Sequence, residues 1–256
     1  MKDNQNNQKV AIVTGGAAGI GKACALRLVK EGIRVVINDI SEDNGVTTCN
    51  LIKDQGGAAH FVQGNIADDD VCRELAETAL HNWGRIDILV ANAAARNFTR
   101  FIETTDAEWD SMLAVNLKGT AQTCKAVLPA MVEQKSGAIV LMSSVHYLEG
   151  RMDMPIYDVT KAGIVSMARS LAIEYGPDNI RVNAVCPGLS ITDFHINKAT
   201  QEGKDLNQLS NVEFGALKRT AEPSEIAGAV YFLCSEDASY VTGHALMVDG
   251  GFSIGS

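Results

Sequence analysis

Tyr157 and Lys161 stand four residues apart in a segment that predicts a long helix, so the phenol and the ammonium share one helical face. One positive charge about 5 Å away, at an effective dielectric constant of about 20, favours the phenolate by roughly 3 kcal/mol, or about two pKa units. The pair is therefore predicted to act as a base near neutral pH. The alternative is a surface tyrosine and lysine that only share helical spacing.

A glycine-rich turn follows the first predicted strand, Val10 to Val13, and leads into a predicted helix. Glycine permits a tight turn and lets the backbone approach a pyrophosphate, while the helix N-terminus presents amides to the phosphates. The turn, Thr14 to Gly21, is therefore predicted to bind a nucleotide. Its predicted contacts are Gly15, Ala18, Gly19 and Ile20.

Asp39 ends the second predicted strand, 18 residues beyond Gly21, where a carboxylate can bind both ribose hydroxyls of an adenosine. A 2′-phosphate about 4 Å from this carboxylate is repelled by roughly 1 to 4 kcal/mol per unit charge. Neither Gly16, Asn38 nor Ile40 offers a compensating cation. The residues favour NAD over NADP as the cofactor; the alternative is that Asp39 only ends a strand in a turn.

Short apolar runs alternate with longer amphipathic segments along the chain. This alternation predicts an α/β protein with a single doubly wound (Rossmann) domain, a parallel seven-stranded sheet with helices on both faces. We assign residues 1–8 to a disordered lead-in and residues 9–256 to one catalytic domain. The predicted strands are Val10–Val13, Arg34–Ile37, His60–Val62, Ile86–Val90, Ala138–Met142, Arg181–Val185 and Ala245–Val248, and the predicted helices are Ile20–Glu31, Asp69–Trp83, Asp106–Val132, Pro155–Tyr175 and Pro223–Leu233.

Composition excludes several classes of function. The formal net charge of −9 offers no electrostatic footprint for nucleic acid or anionic lipid, and no apolar run is long enough to span a membrane. The six cysteines are scattered, with neither a Cys-x-x-Cys pair nor a nearby histidine cluster, so we expect no metal site and no disulfide scaffold. Small-molecule chemistry in the cytoplasm is the expectation that remains.

One irregular stretch, 189–217, separates the sixth predicted strand from the next helix. It is rich in Asn, Gln, Lys and Glu, and its periodicity is weak. Ligands bind at the carboxyl edge of such sheets, so this stretch is predicted to be a substrate lid. The alternative is a tolerated surface loop.

Taken in order, these motifs resemble those of the short-chain dehydrogenase/reductase family, and the resemblance covers Lys9 to Phe252. The motifs that carry it are the glycine turn, Asp39, Asn92-Ala93-Ala94, Asn116, Ser143-Ser144, Tyr157-x-x-x-Lys161, Arg181-Val182-Asn183-Ala184-Val185-Cys186-Pro187-Gly188 and Asp249-Gly250-Gly251.

The resemblance implies four catalytic residues. Tyr157 is the general base when an alcohol is oxidised and the general acid in reverse. Lys161 lowers the pKa of the phenol and hydrogen-bonds the nicotinamide ribose. Ser144 holds the reacting oxygen, and Asn116 kinks the fourth helix around a water that links Lys161 to solvent.

It also implies cofactor contacts beyond the glycine turn: Asn65, Ile66, Asn92, Pro187, Gly188, Thr192 and the pair Tyr157 and Lys161. The sequence departs from the family pattern in two places. Asn65 stands where an Asp commonly meets the adenine, and Ala94 stands where a glycine is usual. Neither change touches proton or hydride chemistry.

The predicted substrate contacts are Arg96, Ser144, His146, Arg151, Leu189 and Phe194. This mixture is polar, which indicates a hydroxyl-rich or anionic substrate such as a sugar or a polar cyclic alcohol. The competing interpretation has both arginines solvated and His146 packed within its loop.

The sequence thus predicts an NAD-dependent dehydrogenase acting on a secondary alcohol or sugar hydroxyl, with reversible carbonyl reduction. Two alternatives stay open: a 3-oxoacyl-carrier-protein reductase and a non-enzymatic NAD-sensing scaffold. The helices Asp106 to Val132 and Pro155 to Tyr175 carry small and apolar residues on more than one face. A symmetric homo-oligomer, in the family's usual form a homotetramer, is therefore expected.

Overall fold

The computed structural model describes residues 8–192, 195–196, 199–200, 203 and 212–255. The lead-in assigned to residues 1–8 lies outside this part except for its last residue, and much of the predicted lid 189–217 does too. In the described helices, no segment is long and apolar enough to cross a membrane.

Seven parallel strands form one sheet in the order β3-β2-β1-β4-β5-β6-β7, which confirms the predicted Rossmann-like class. The strands are β1 (Val10–Thr14), β2 (Arg34–Asp39), β3 (Ala59–Gln63), β4 (Ile88–Ala91), β5 (Gly137–Met142), β6 (Ile180–Pro187) and β7 (Ala245–Val248). The strand order reverses between β1 and β4, where Thr14 pairs with Ala91. A crevice opens beyond the carboxyl ends of strands at such a reversal, and this is where a ligand binds.

Helices cover both faces of the sheet because its strands are apolar on both sides. They are α1 (Gly19–Lys30), α2 (Glu42–Asp54), α3 (Asp69–Trp83), α4 (Asp106–Leu113), α5 (Thr120–Gln134), α6 (Pro155–Tyr175) and α7 (Pro223–Cys234). Side chains of α3, α5 and α6 form one core cluster with the sheet, and those of α1, α2 and α7 form the other.

Two helical features differ from the sequence prediction. Helix α2 was not predicted, because Gly45 and the threonines beside it have low helix propensity. Burial explains the glycine: a Cβ at Gly45 would overlap the Phe61 ring. The predicted helix Asp106–Val132 is also not continuous, since a π-helical segment, Ala114–Gly119, separates α4 from α5. This segment contains Asn116, the residue at which the resemblance implies a kink.

Candidate active site

The glycine turn after β1 is held in a conformation that requires glycine. Gly15 and Gly19 have positive φ angles of 60° and 52°. A Cβ at Gly21 would overlap the carbonyl oxygen of Gly15, so α1 can approach the turn only with glycine there. Ala18 is the N-cap residue of α1, and its side chain makes no cap hydrogen bond to the first turn.

Asn92 binds this turn directly. Its side-chain amide donates to the carbonyl oxygens of Thr14 and Gly15, each at 3.0 Å. The residue therefore joins the end of β4 to the turn after β1. It lies beside the predicted nucleotide contacts and lines both cavities of the candidate site.

The first cavity, of about 450 Å³, lies over the glycine turn and the carboxyl ends of β1, β2 and β4. Asp39 lines it at the end of β2, where its two carboxylate oxygens accept from the amides of Ala17 at 3.2 Å and Ser41 at 3.1 Å. Nine predicted cofactor contacts line this cavity: Gly15, Ala18, Gly19, Ile20, Asp39, Asn65, Ile66, Asn92 and Thr192.

A second cavity, of about 460 Å³, contains the predicted proton-transfer residues. The second cavity shares part of its wall with the first, and the shared residues are Ile20, Asn92, Ala94, Arg96 and Thr192. The predicted residues that line it also include Ser144, His146, Arg151, Tyr157, Lys161, Pro187, Gly188 and Leu189. Phe194, a predicted substrate contact, lies outside the described residues.

Tyr157 and Lys161 enter this cavity from the first two turns of α6, which begins at Pro155. Both are almost fully buried, with 6% and 2% of their surfaces exposed. Lys161 Nζ donates to the carbonyl oxygen of Met142 at 2.7 Å and lies 5.3 Å from the centroid of the Tyr157 ring. The end of β5 thus fixes the ammonium beside the phenol.

The net shift of the Tyr157 pKa is opposite to the lowering predicted from its pairing with Lys161, and the separate influence of Lys161 on the phenol stays a prediction. Burial raises the pKa of Tyr157, because an ionised phenol is poorly solvated there. Arg96 is the largest opposing influence, followed by a hydrogen bond with Ser144. Burial also lowers the pKa of Lys161, to about 7, and Arg96 lowers it further by like-charge repulsion.

Ser144 follows β5 at the start of a short 3₁₀ turn, Val145–Tyr147, where its Oγ accepts from the amide of His146 at 3.3 Å. Its neighbour Ser143 donates to the carbonyl oxygen of Lys161 at 2.8 Å. The end of β5 and helix α6 are therefore hydrogen-bonded together. This places the Ser144 hydroxyl on the same cavity wall as Tyr157.

Asn116 is fully buried in the π-helical segment and lines neither cavity. Its Oδ1 accepts from the amide of Ala95 at 2.7 Å, and its Nδ2 donates to the carbonyl oxygen of Ala95 at 2.9 Å and to Thr160 Oγ1 at 3.0 Å. The structure thus places Asn116 behind the site. There it binds the loop after β4 to α6, and its link to Lys161 through water stays a prediction.

The lining residues that were not predicted from the sequence include Glu149, Phe214 and Phe252. The two phenylalanine rings stack with centroids 4.3 Å apart. Phe252 is positioned by Asp249, whose carboxylate accepts from the amides of Gly251 at 3.0 Å and Ser253 at 2.8 Å. The Asp249-Gly250-Gly251 motif was a usable signal that the residue following it is fixed near the site.

Comparison with known proteins gives consistent relatives. A family model described as enoyl-(acyl carrier protein) reductase matches residues 15–253. The 3-oxoacyl-[acyl-carrier-protein] reductase of Thermotoga maritima is 36% identical, over 96% of this chain and 98% of that protein. A probable galactose dehydrogenase of Rhizobium meliloti is 35% identical, over 94% of this chain and 93% of that protein.

A solved structure of another oxidoreductase is also similar to this chain. The L-sorbose reductase of Gluconobacter frateurii, complexed with NADPH and L-sorbose, superposes with a TM-score of 0.92 at 32% identity, over 97% of this chain and 98% of that one. With nearly full-length relatives above 30% identity and the matching family model, the chain belongs to the short-chain dehydrogenase/reductase family of oxidoreductases, which use nicotinamide cofactors.

Proposed function

We propose that this protein is an NAD-dependent dehydrogenase that oxidises a secondary alcohol or sugar hydroxyl, and reduces the carbonyl in reverse. One observation carries the proposal. Ser144, Tyr157 and Lys161 line a single cavity whose walls continue into the cavity of the glycine turn and Asp39. A nucleotide in the first cavity and an alcohol in the second are therefore adjacent.

The residues present fit a dinucleotide. The N-terminus of α1 suits a pyrophosphate, Asp39 suits two ribose hydroxyls, and Thr192, with Pro187 and Gly188, suits the nicotinamide end. When bound, the nicotinamide ring accepts the hydride that the carbinol carbon gives up. The reaction is balanced when the hydroxyl proton leaves to Tyr157, because the alcohol then loses one hydride and one proton.

The proton chemistry belongs to three side chains. Ser144 donates a hydrogen bond to the reacting oxygen, and Tyr157 takes its proton. Since burial raises the pKa of Tyr157, the phenolate needs positive charge beside it. Arg96 supplies that charge, and Lys161 adds to it below its own pKa of about 7. A phenolate so placed is the base that the reaction requires.

The preference for NAD rests on Asp39. No Lys or Arg lines the first cavity near this carboxylate among the described residues; the arginine in that wall, Arg96, lies within 5.6 Å of the Tyr157 ring, at the other end. A 2′-phosphate there meets a negative charge with no cation to offset it. The structural relative bound to NADPH is a different chain, and the proposed preference of this protein for NAD depends on Asp39.

A second candidate is a 3-oxoacyl-carrier-protein reductase, which the Thermotoga maritima relative favours. Asp39 and the net charge of −9 count against it, because that activity generally takes NADPH and an acidic carrier protein. Reduction of an acetoacetyl thioester with NADPH, at a higher kcat/KM than any alcohol oxidation with NAD, would favour this candidate.

The direct test of the proposed function is a substrate screen that follows NADH absorbance. Sugars, polyols, cyclic alcohols and hydroxy acids are offered with NAD to the parent and to Tyr157→Phe. We expect turnover by the parent and a loss of at least 1,000-fold in kcat for the variant, which should still bind NADH. A Tyr157→Phe protein that oxidises the substrate at the parental rate excludes this mechanism.

We further propose that the protein is a homotetramer and is cytoplasmic. An apolar groove of about 410 Å³ runs between α5 and α6, lined by residues such as Leu128, Met167 and Leu171. A symmetric copy of the same face is a fitting cover for this apolar groove. All six cysteines are free and buried, which supports a reducing compartment.

A further inference from the structure

Two loops form the mouth of the cavity that contains Tyr157. One follows β4 and carries Arg96, and the other precedes α6 and carries Arg151. The loops are hydrogen-bonded together, since the amide of Thr99 donates to the carbonyl oxygen of Asp153 at 2.8 Å. Both arginines therefore belong to one connected rim.

The rim is also fixed to the catalytic helix. The amide of Arg151 donates to Asp158 Oδ2 at 2.9 Å, and Asp158 is the residue next to Tyr157 in α6. Asn116 holds the other loop through both backbone groups of Ala95, the residue next to Arg96. The backbone amide of Arg151 is itself hydrogen-bonded, and Arg96 directly follows the hydrogen-bonded Ala95. The fold therefore sets the backbone positions of both arginines.

Each guanidinium carbon on this rim lies close to an aromatic ring. Arg96 Cζ is 5.6 Å from the centroid of the Tyr157 ring, and Arg151 Cζ is 5.6 Å from that of Phe98. Both cations also act electrostatically on the phenol, with Arg96 the stronger. A group bound by Arg96 is therefore within a few bonds of the atom that Tyr157 deprotonates.

The charge of the cavity is the reverse of the charge of the protein. Its described lining holds Arg96, Arg151 and Lys161 against a single carboxylate, Glu149, whereas the whole chain carries −9. Arg96 and Lys161 repel each other. A neutral sugar does nothing to offset that repulsion, but an anion between rim and phenol does, and the guanidinium fork matches a carboxylate in two parallel hydrogen bonds.

We propose that the substrate is a hydroxy acid, with its carboxylate held by Arg96 and Arg151 and its hydroxyl between Ser144 and Tyr157. This inference rests on the proposed function. The carbinol carbon gives its hydride to the nicotinamide and its hydroxyl proton to Tyr157, so CH–OH becomes C=O while the carboxylate is unchanged. The product is an oxo acid.

The test compares charged and neutral probes that are otherwise matched. 3-Hydroxybutyrate is set against its methyl ester, gluconate against glucose, and glycerol 3-phosphate tests a phosphate in place of a carboxylate. Kinetics are measured with NAD on the full chain, on Arg96→Gln and Arg151→Gln, and on Arg100→Gln. The last is an exposed arginine on the same loop that lines neither cavity, so it is the matched control. Binding of each probe to the NADH complex is measured in parallel by calorimetry.

We expect the acids to have kcat/KM at least 10-fold above their neutral partners. Arg96→Gln should raise KM and the dissociation constant for the acid at least 10-fold, Arg151→Gln less, and Arg100→Gln less than 2-fold, with KM for the neutral partner nearly constant. Two results together would exclude a hydroxy acid as the substrate: neutral alcohols turn over as well as the acids, and the arginine variants change KM equally for both. The proposed dehydrogenase activity would still stand. Preference for glycerol 3-phosphate also overturns it, and if no probe turns over or binds, both proposals fail together.

Discussion

The side-chain amide of Asn116 donates to Thr160 Oγ1 at 3.0 Å, between the π-helical segment and the helix that carries Tyr157. The same amide group is bound to both backbone groups of Ala95, on the loop that leads to Arg96. One buried residue therefore sets the distance between the proton-transfer helix and the substrate rim.

Replacement of Asn116 by alanine should lower the free energy of unfolding by about 2–4 kcal/mol, because one buried and two partly buried hydrogen bonds are lost and the Ala95 groups are left without them. The kcat of the folded fraction should fall at least 10-fold, with less change in KM for NAD. Urea unfolding and steady-state kinetics measure the two effects. Asn50→Ala, at an exposed site on α2, is the control and should stay within about 0.5 kcal/mol of the parent. Equal effects in the two variants would contradict the positioning role.

Cofactor choice should change when the charge beside the adenosine ribose is reversed. Asp39→Ala combined with Ile40→Arg should raise the ratio of kcat/KM for NADP to that for NAD by about 10- to 1,000-fold, because a repulsion of roughly 1 to 4 kcal/mol is removed and a cation is added. Asp43→Ala removes an acidic residue that lines neither cavity, and its ratio should match that of the parent. A parent enzyme that uses both cofactors equally would refute the role of Asp39.

Lys161 should make stability depend on pH. Burial lowers its pKa in the folded state to about 7, from 10.5 as an unperturbed group. Between these values the unfolded chain binds the proton and the folded chain does not, so stability rises with pH from about 7 to 10.5, by at most about 1.4 kcal/mol per pH unit.

Lys161→Met should lack this increase in stability with pH. Between pH 7 and pH 9, the free energy of unfolding of the parent should therefore increase relative to that of the variant. Urea unfolding without added cofactor measures it. Burial raises the pKa of the cysteine thiols in the folded protein, so in this range they ionise mainly in the unfolded chain, a contribution that both proteins share. Lys30→Met, at an exposed position, should show the parental slope. An identical slope in Lys161→Met would mean that the lysine is not buried as described.

Two glycines in helices should respond to alanine in opposite directions. A Cβ at Gly45 in α2 overlaps the Phe61 ring, so Gly45→Ala should destabilise by about 1–3 kcal/mol despite its better helix propensity. A Cβ at Gly228 in α7 meets nothing within 4 Å, so Gly228→Ala should stabilise by about 0.4–1 kcal/mol. Thermal unfolding of both variants distinguishes the cases. A stable Gly45→Ala would show that Phe61 can move away.

The oligomer should depend on the groove between α5 and α6. Leu171→Arg places a charge in that apolar groove and should convert a tetramer to a smaller species at micromolar concentration, measured by light scattering. Asn50→Arg adds the same charge on α2 and should leave the mass unchanged. If the parent itself is a monomer, the symmetric cover of this groove is refuted.

The sequence was most informative where one residue type is required by one physical constraint. Apolar runs located all seven strands to within a few residues, because a strand buried on both faces must be apolar throughout. Gly15, Gly19 and Gly21 located the tight turn between β1 and α1, because backbone angles and close contact with α1 require glycine there.

Sequence reasoning was weaker where tertiary contacts decide the outcome. Helix α2 was missed because Gly45 is explained only by Phe61, a residue on another strand. The π-helical segment left no mark on the apolar pattern of the helix around it. The pKa of Tyr157 was predicted in the wrong direction, because the charge–charge estimate omitted the desolvation that dominates in the structure.

The wall shared by the two cavities, which includes Ile20, Asn92 and Thr192, has a kinetic consequence. A dinucleotide lying along these residues completes one side of the space in which the alcohol is held. We therefore expect the two reactants to enter in sequence, coenzyme before alcohol, and the oxidised product to depart while the reduced coenzyme is still in place.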